Sequence, residues 1–282
     1  MFSIIDNDPF FRDIKSDIAK ANLDFLVEHL CSLPLAEKEE NNVKLKGTLE
    51  ENHEYISSII FNKPNLEIAN DIIKNRSVVF DTDSINGFSY IYKLNNKTIL
   101  ELDSKKYYAS IAVLEHELTH LIMAINNNNP EAQYNEILSI FIELVSLELL
   151  SAKNNNNKIF ENSFLNRCVA RMARRVYTFQ FLDDKLKNSP DYIKKINIDC
   201  YTYMLGFIYA IRLFDLYHIN QEEILNDFNL VLNGEKSIND LLKKYQISLE
   251  NEQTITSFIN MCKLYQNIIN RKYSPNILHY VL

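Results

Sequence analysis

Apolar residues recur at the three-and-four spacing of an amphipathic helix over most of the chain. The pattern predicts helices over 10–31, 37–61 and 65–74, then over 107–125, 131–150, 164–186, 193–217, 221–232, 238–244 and 249–270. Residues 77–102 break it. Val78-Val79-Phe80, 88–94 and 97–102 are rich in β-branched and aromatic side chains and are divided by Asp, Asn and Gly, which predicts a small β-sheet or hairpin. Asn-rich stretches at 126–129, followed by Pro130, and at 154–157 read as loops between helices. With only four glycines and six prolines there are few breaks, which favours long helices over an all-β architecture. The expected fold class is therefore mainly α, with a small sheet or hairpin just before the helix at 107–125. A helical amino-terminal region over 1–76 would precede a second region over 77–282, or the two would form one continuous unit, since no Pro/Ser/Gly-rich linker marks a boundary.

At 46% hydrophobic and 24% charged, the 282 residues suffice for a sizeable core. A net charge of -7 provides no basic surface for a phosphate backbone, so nucleic acid is not expected as a partner. Arg171, Arg174 and Arg175 form one local basic cluster, read as a solvated helix face. Cys31, Cys168, Cys200 and Cys262 are widely spaced with no C-x-x-C pairing, which fits a reducing compartment. The first residues are acidic where a signal peptide would be basic, and no apolar run reaches the length of a membrane span. A cytoplasmic protein with no membrane association is the expectation.

The densest chemistry is His116-Glu117-Leu118-Thr119-His120. Two imidazoles four residues apart project from one helix face and can hold one metal ion, with Glu117 placed to accept a proton from water activated by it. Apolar residues at Ile111, Leu114, Leu118, Leu121, Ile122 and Ile125 keep helical spacing through the motif, so these groups sit on a helix and not in a loop.

A catalytic metal site needs a third protein ligand. The segment 131–150 is apolar enough to be buried, yet it carries Glu136, Glu143 and Glu148. On a continuous helix Glu136 and Glu143 lie within about 20° of one face, and Glu148 falls off it. Glu136 is assigned as ligand and Glu143 as an acid supporting a ligand imidazole, although spacing alone allows the two to exchange roles.

At this point the chain resembles the oligoendopeptidase F and thimet oligopeptidase family of zinc metallopeptidases. Glu136-Ile137-Leu138-Ser139-Ile140-Phe141-Ile142-Glu143 is similar to that family's Glu-(Ile/Val)-Ala-Ser-Thr-Phe-Asn-Glu segment, with Ser139, Phe141 and Glu143 in step. Tyr201-Thr202-Tyr203-Met204-Leu205-Gly206 is similar to its Tyr-Gln-Tyr-Ala-Thr-Gly segment, and Gly87-Phe88-Ser89-Tyr90 to a short element that leads into a cleft-lining strand. The segments occur in the family's order. Thr119 stands where the family usually has Gly, Met123 where a His is common, and no His closely precedes Tyr201. The resemblance covers roughly residues 87–217, and family members are commonly about twice as long, so a large amino-terminal lobe would be reduced.

The resemblance implies a zincin-like helical metallopeptidase domain of gluzincin type. His116, His120 and Glu136 would hold one Zn²⁺ per chain, and Glu117 would act as general base. Tyr201 would donate to the developing oxyanion, Ser139 and Glu143 would support the ligands, and Tyr203, Gly87 and Phe88 would contact a peptide substrate. The expected activity is endohydrolysis of short peptides, with an oligomer able to close the cleft. Two other readings stay open: a regulatory metallopeptidase that cuts one cytosolic protein, and a metal-binding or interaction protein that hydrolyses nothing.

Overall fold

Side-chain caps set where several helices begin. In the computed structural model, which describes residues 16–33, 46–74, 78–79, 90–94, 97–101, 107–126, 134–163 and 190–277, Ser16 accepts a hydrogen bond from Ala19 N and opens α1 (Asp17–Cys31). Thr48 and Glu51 form a reciprocal capping box at the start of α2 (Leu49–Ile60). Gly47 just before it has a φ of +84°. That left-handed residue and the cap that follows it set the start of α2 at Leu49, and the expected helical stretch over 37–45 lies outside the described residues. Next comes α3 (Lys63–Lys74).

Three short strands follow, β1 (Val78–Val79), β2 (Tyr90–Leu94) and β3 (Lys97–Glu101), in the order β1-β3-β2. β1 runs parallel to β3 with Val78 opposite Leu100, and β2 runs antiparallel to β3 with Tyr92 opposite Ile99. The remaining described elements are helices: α4 (Tyr107–Ile125), α5 (Ile137–Asn154), α6 (Asn157–Ser163), α7 (Pro190–Ile219), α8 (Gln221–Leu232), α9 (Ile238–Lys244) and α10 (Glu252–Ile277). The helix expected over 164–186, with Arg171, Arg174, Arg175 and Cys168, lies outside the described residues.

α5 is the axis of the molecule. Every side chain from Ile137 to Leu147 is buried, as expected for a helix that is apolar nearly all round. It packs against α4, α7, α6 and α2, while α4 also meets α2, α3 and α8, and α10 covers α7 and α1. Phe141 sits at the centre, edge-on to both Tyr217 and Phe228 at about 6 Å between ring centroids. Buried amides tie the periphery to this core: Asn229 accepts from Asn62 N at 2.8 Å and from Asn65 Nδ2 at 2.9 Å, and donates to Ile60 O at 2.8 Å. Cys262 is a buried free thiol whose pKa burial pushes up to about 12.

This architecture corrects the expected fold class. A zincin-like frame is not what the core shows: among the described residues every element packed extensively on α5 is helical, and the extensive contacts of the three strands are with one another. The physical reason is burial. α4, α5 and α7 are rich in apolar residues, and their described buried side chains pack against one another.

Candidate metal centre

His116 and His120 lie one turn apart on the buried face of α4, with ring centroids 5.0 Å apart and planes at 72°. Glu136 reaches them from the start of α5. His116 Nε2 stands 3.4 Å from Glu136 Oε2, and His120 Nε2 stands 3.7 Å from Glu136 Oε1. The three ligand atoms lie within 4.8 Å of one another, and they form a buried group able to coordinate a metal ion. Two ligands bound tetrahedrally at roughly 2.0–2.1 Å stand about 3.3–3.4 Å apart, so the Glu136 distances suit a shared small cation.

Glu136 stands at the capping position immediately before Ile137, with a helical φ of -91° and ψ of -8°, and it and Glu143, seven residues on, both reach His116. Its carboxylate caps no backbone N–H, and its Oε2 is buried without a hydrogen-bond partner. A buried carboxylate oxygen in that condition is costly unless a cation completes it. The residues present therefore fit a metal ion. The main chain of Glu136 is held from within α5, accepting from Ile140 N at 3.0 Å and from Ser139 Oγ at 3.1 Å. Ser139 thus bonds backbone and not metal.

Glu143 lies behind His116. Its Oε2 is 3.3 Å from His116 Nδ1, although the approach is not aligned as a hydrogen bond. Burial resists protonation of His116, but Glu136 and Glu143 outweigh it and raise the imidazole's pKa. Burial likewise works against ionised Glu136, and His116 and His120 outweigh it, holding the carboxyl well below the usual range. Two acids around one buried imidazole call for positive charge at this point.

The gluzincin-type zinc peptidase expected from the five-residue motif is corrected by this geometry. What converges is the triad His116, His120 and Glu136, a metal-binding group in which Glu117 has no place. Glu117 is half-buried on α4. Three converging ligands suffice to chelate, whereas hydrolysis also needs a base, an oxyanion donor and a substrate cleft held in register. What the described residues show is a capacity to bind a metal ion. Tyr201 belongs to α7, but its side chain lies outside the description, as do Gly87 and Phe88 entirely. Tyr203 is half-buried and packs on the helical core.

One buried pair escaped the sequence reading. His53 Nδ1 on α2 lies 2.6 Å from Glu115 Oε1, with both residues almost fully buried. Burial opposes protonation of His53, and Glu115 outweighs it to raise the pKa. Glu115 directly precedes His116, so α4 carries one member of this buried pair on one face and the metal ligands on another. Thr119 helps shape the same turn by donating to Glu115 O at 2.8 Å. The available signal was a carboxylate at an otherwise apolar helix position, which requires a partner. Glu148, set aside from the site by its helical angle, pairs with His218 Nε2 at 2.8 Å near the surface.

Among the described residues no helix is long and apolar enough to cross a membrane. No protein-family model, no curated protein and no solved structure matches this chain.

Proposed function

We propose that this protein is a helical metal-binding protein that holds one Zn²⁺ per chain through His116, His120 and Glu136, and that the ion serves to fasten the fold and not to hydrolyse peptides. The observation that carries the reading is the buried convergence of the three ligand atoms within 4.8 Å. Two imidazoles and a carboxylate form a borderline donor set suited to zinc and its first-row neighbours, and they offer too few oxygens for calcium. Bound there, the ion supplies positive charge where Glu136 and Glu143 gather negative charge. It also joins two elements by bonds stronger than packing. The histidines belong to α4 and the carboxylate to the start of α5, so occupancy locks the connection between the two most buried helices.

Elemental analysis of the purified protein should find zinc at one equivalent per chain, and His116→Ala and Glu136→Ala should each reduce it several-fold. A broad fluorogenic peptide library should stay intact with the zinc-loaded protein. Absence of bound metal after dialysis against micromolar Zn²⁺ would overturn the reading, and chelator-sensitive peptide cleavage would overturn the structural role of the ion.

A further inference from the structure

We infer that Gly206 is a positioning residue for the metal site, its missing side chain letting α7 close onto Glu136 and fix where that ligand stands. This rests on the metal-binding reading above.

A methyl group at position 206 would lie 2.7 Å from Glu136 Cβ, 3.2 Å from the Glu136 carbonyl carbon and 3.3 Å from Ile140 Cδ1. The first distance is shorter than carbon atoms tolerate. The obstacle is the root of the Glu136 side chain and its own backbone, neither of which can swing aside as the tip of a long side chain does. Gly206 lies inside the helix α7, where glycine is a poor helix former, so its presence calls for a packing reason. The close approach supplies one.

α7 has no slack to retreat. Its neighbours Met204, Leu205, Phe207 and Ile208 are all buried, and Phe207 packs edge-on against Phe258 of α10 at 6.0 Å. A side chain at 206 therefore displaces the segment carrying Glu136. Glu136 is the ligand that this contact touches, through its Cβ and its carbonyl carbon. The two histidines are held on α4, away from this contact. Alteration at 206 thus acts on one ligand of three.

The test is a Co²⁺ titration followed by visible absorption, together with melting curves, on the full chain and on Gly206→Ala, Glu136→Gly and the double variant. Gly206→Ala should weaken Co²⁺ binding by about ten- to a hundred-fold and alter the absorption band, as expected when one ligand is displaced. In the Glu136→Gly background, where the opposing Cβ and the carboxylate are both gone, adding Gly206→Ala should cost no further affinity. It should also recover a melting temperature close to that of Glu136→Gly alone. Should Gly206→Ala be too unstable to titrate, recovery of folding in the double variant carries the inference, and failure to recover overturns it. Wild-type affinity and spectrum in Gly206→Ala would overturn it too, as would an equal loss in both backgrounds. A wild-type chain that binds no Co²⁺ sinks the metal-binding reading and with it this role, while the melting curves still report the contact between residues 206 and 136.

Discussion

Glu143 Oε2 stands 3.3 Å from Nδ1 of His116, on the opposite edge of the ring from Nε2, which faces Glu136. A carboxylate this close to a ligand imidazole favours the proton on Nδ1, leaving Nε2 to donate its lone pair. Glu143→Gln keeps the shape and removes the charge. Zn²⁺ affinity measured by competition with a chromogenic chelator should fall by about ten-fold or more in this variant, with the one-to-one stoichiometry kept.

Chelation should loosen the molecule. Because α4 and α5 contribute ligands to the same ion, the melting temperature should drop on adding a strong chelator and return with Zn²⁺. At a free metal concentration about a thousand times the dissociation constant, the stabilisation should approach about 4 kcal/mol. An unchanged melting curve would mean that the ion joins nothing.

The metal-free protein should depend on pH in a definite sense. His116 is raised from 6.5 to about 10 in the folded state, so its contribution to stability is complete below about pH 6.5 and is lost as the pH climbs toward 10. Glu136 is lowered from 4.5, so its contribution is present above that value and is lost as the pH falls further. Urea midpoints of the metal-free chain should therefore be highest between about pH 4.5 and 6.5 as far as this cluster is concerned. Zn²⁺ binding should strengthen as the pH rises through the neutral range, because the ion displaces the His116 proton.

His53 and Glu115 should behave as a unit. His53→Leu strands a buried carboxylate and should cost about 3–5 kcal/mol of unfolding free energy. The double replacement His53→Leu/Glu115→Leu removes both charges and should recover most of the loss. Denaturant unfolding of the wild type, His53→Leu, Glu115→Leu and the double replacement measures the coupling. Additive losses would show that the pair contributes nothing as a pair.

The sequence by itself determined most of the described helices, α6 excepted, because apolar spacing and capping residues act within a few positions of one another. It also identified the two imidazoles, since a separation of four on a helix places them together whatever surrounds them. Glu136 was legible as a buried acid needing a cation, and only the fold shows that it, and not Glu143, meets both Nε2 atoms. The zincin-like frame was expected from short segments, and among the described residues the core around α5 is built from helices instead. Only the tertiary structure could pair His53 with Glu115 or bring Gly206 against Glu136, because each contact joins residues more than sixty positions apart. Periodicity reports which face of an element is buried, but the partner across that face is chosen by how whole helices settle against each other.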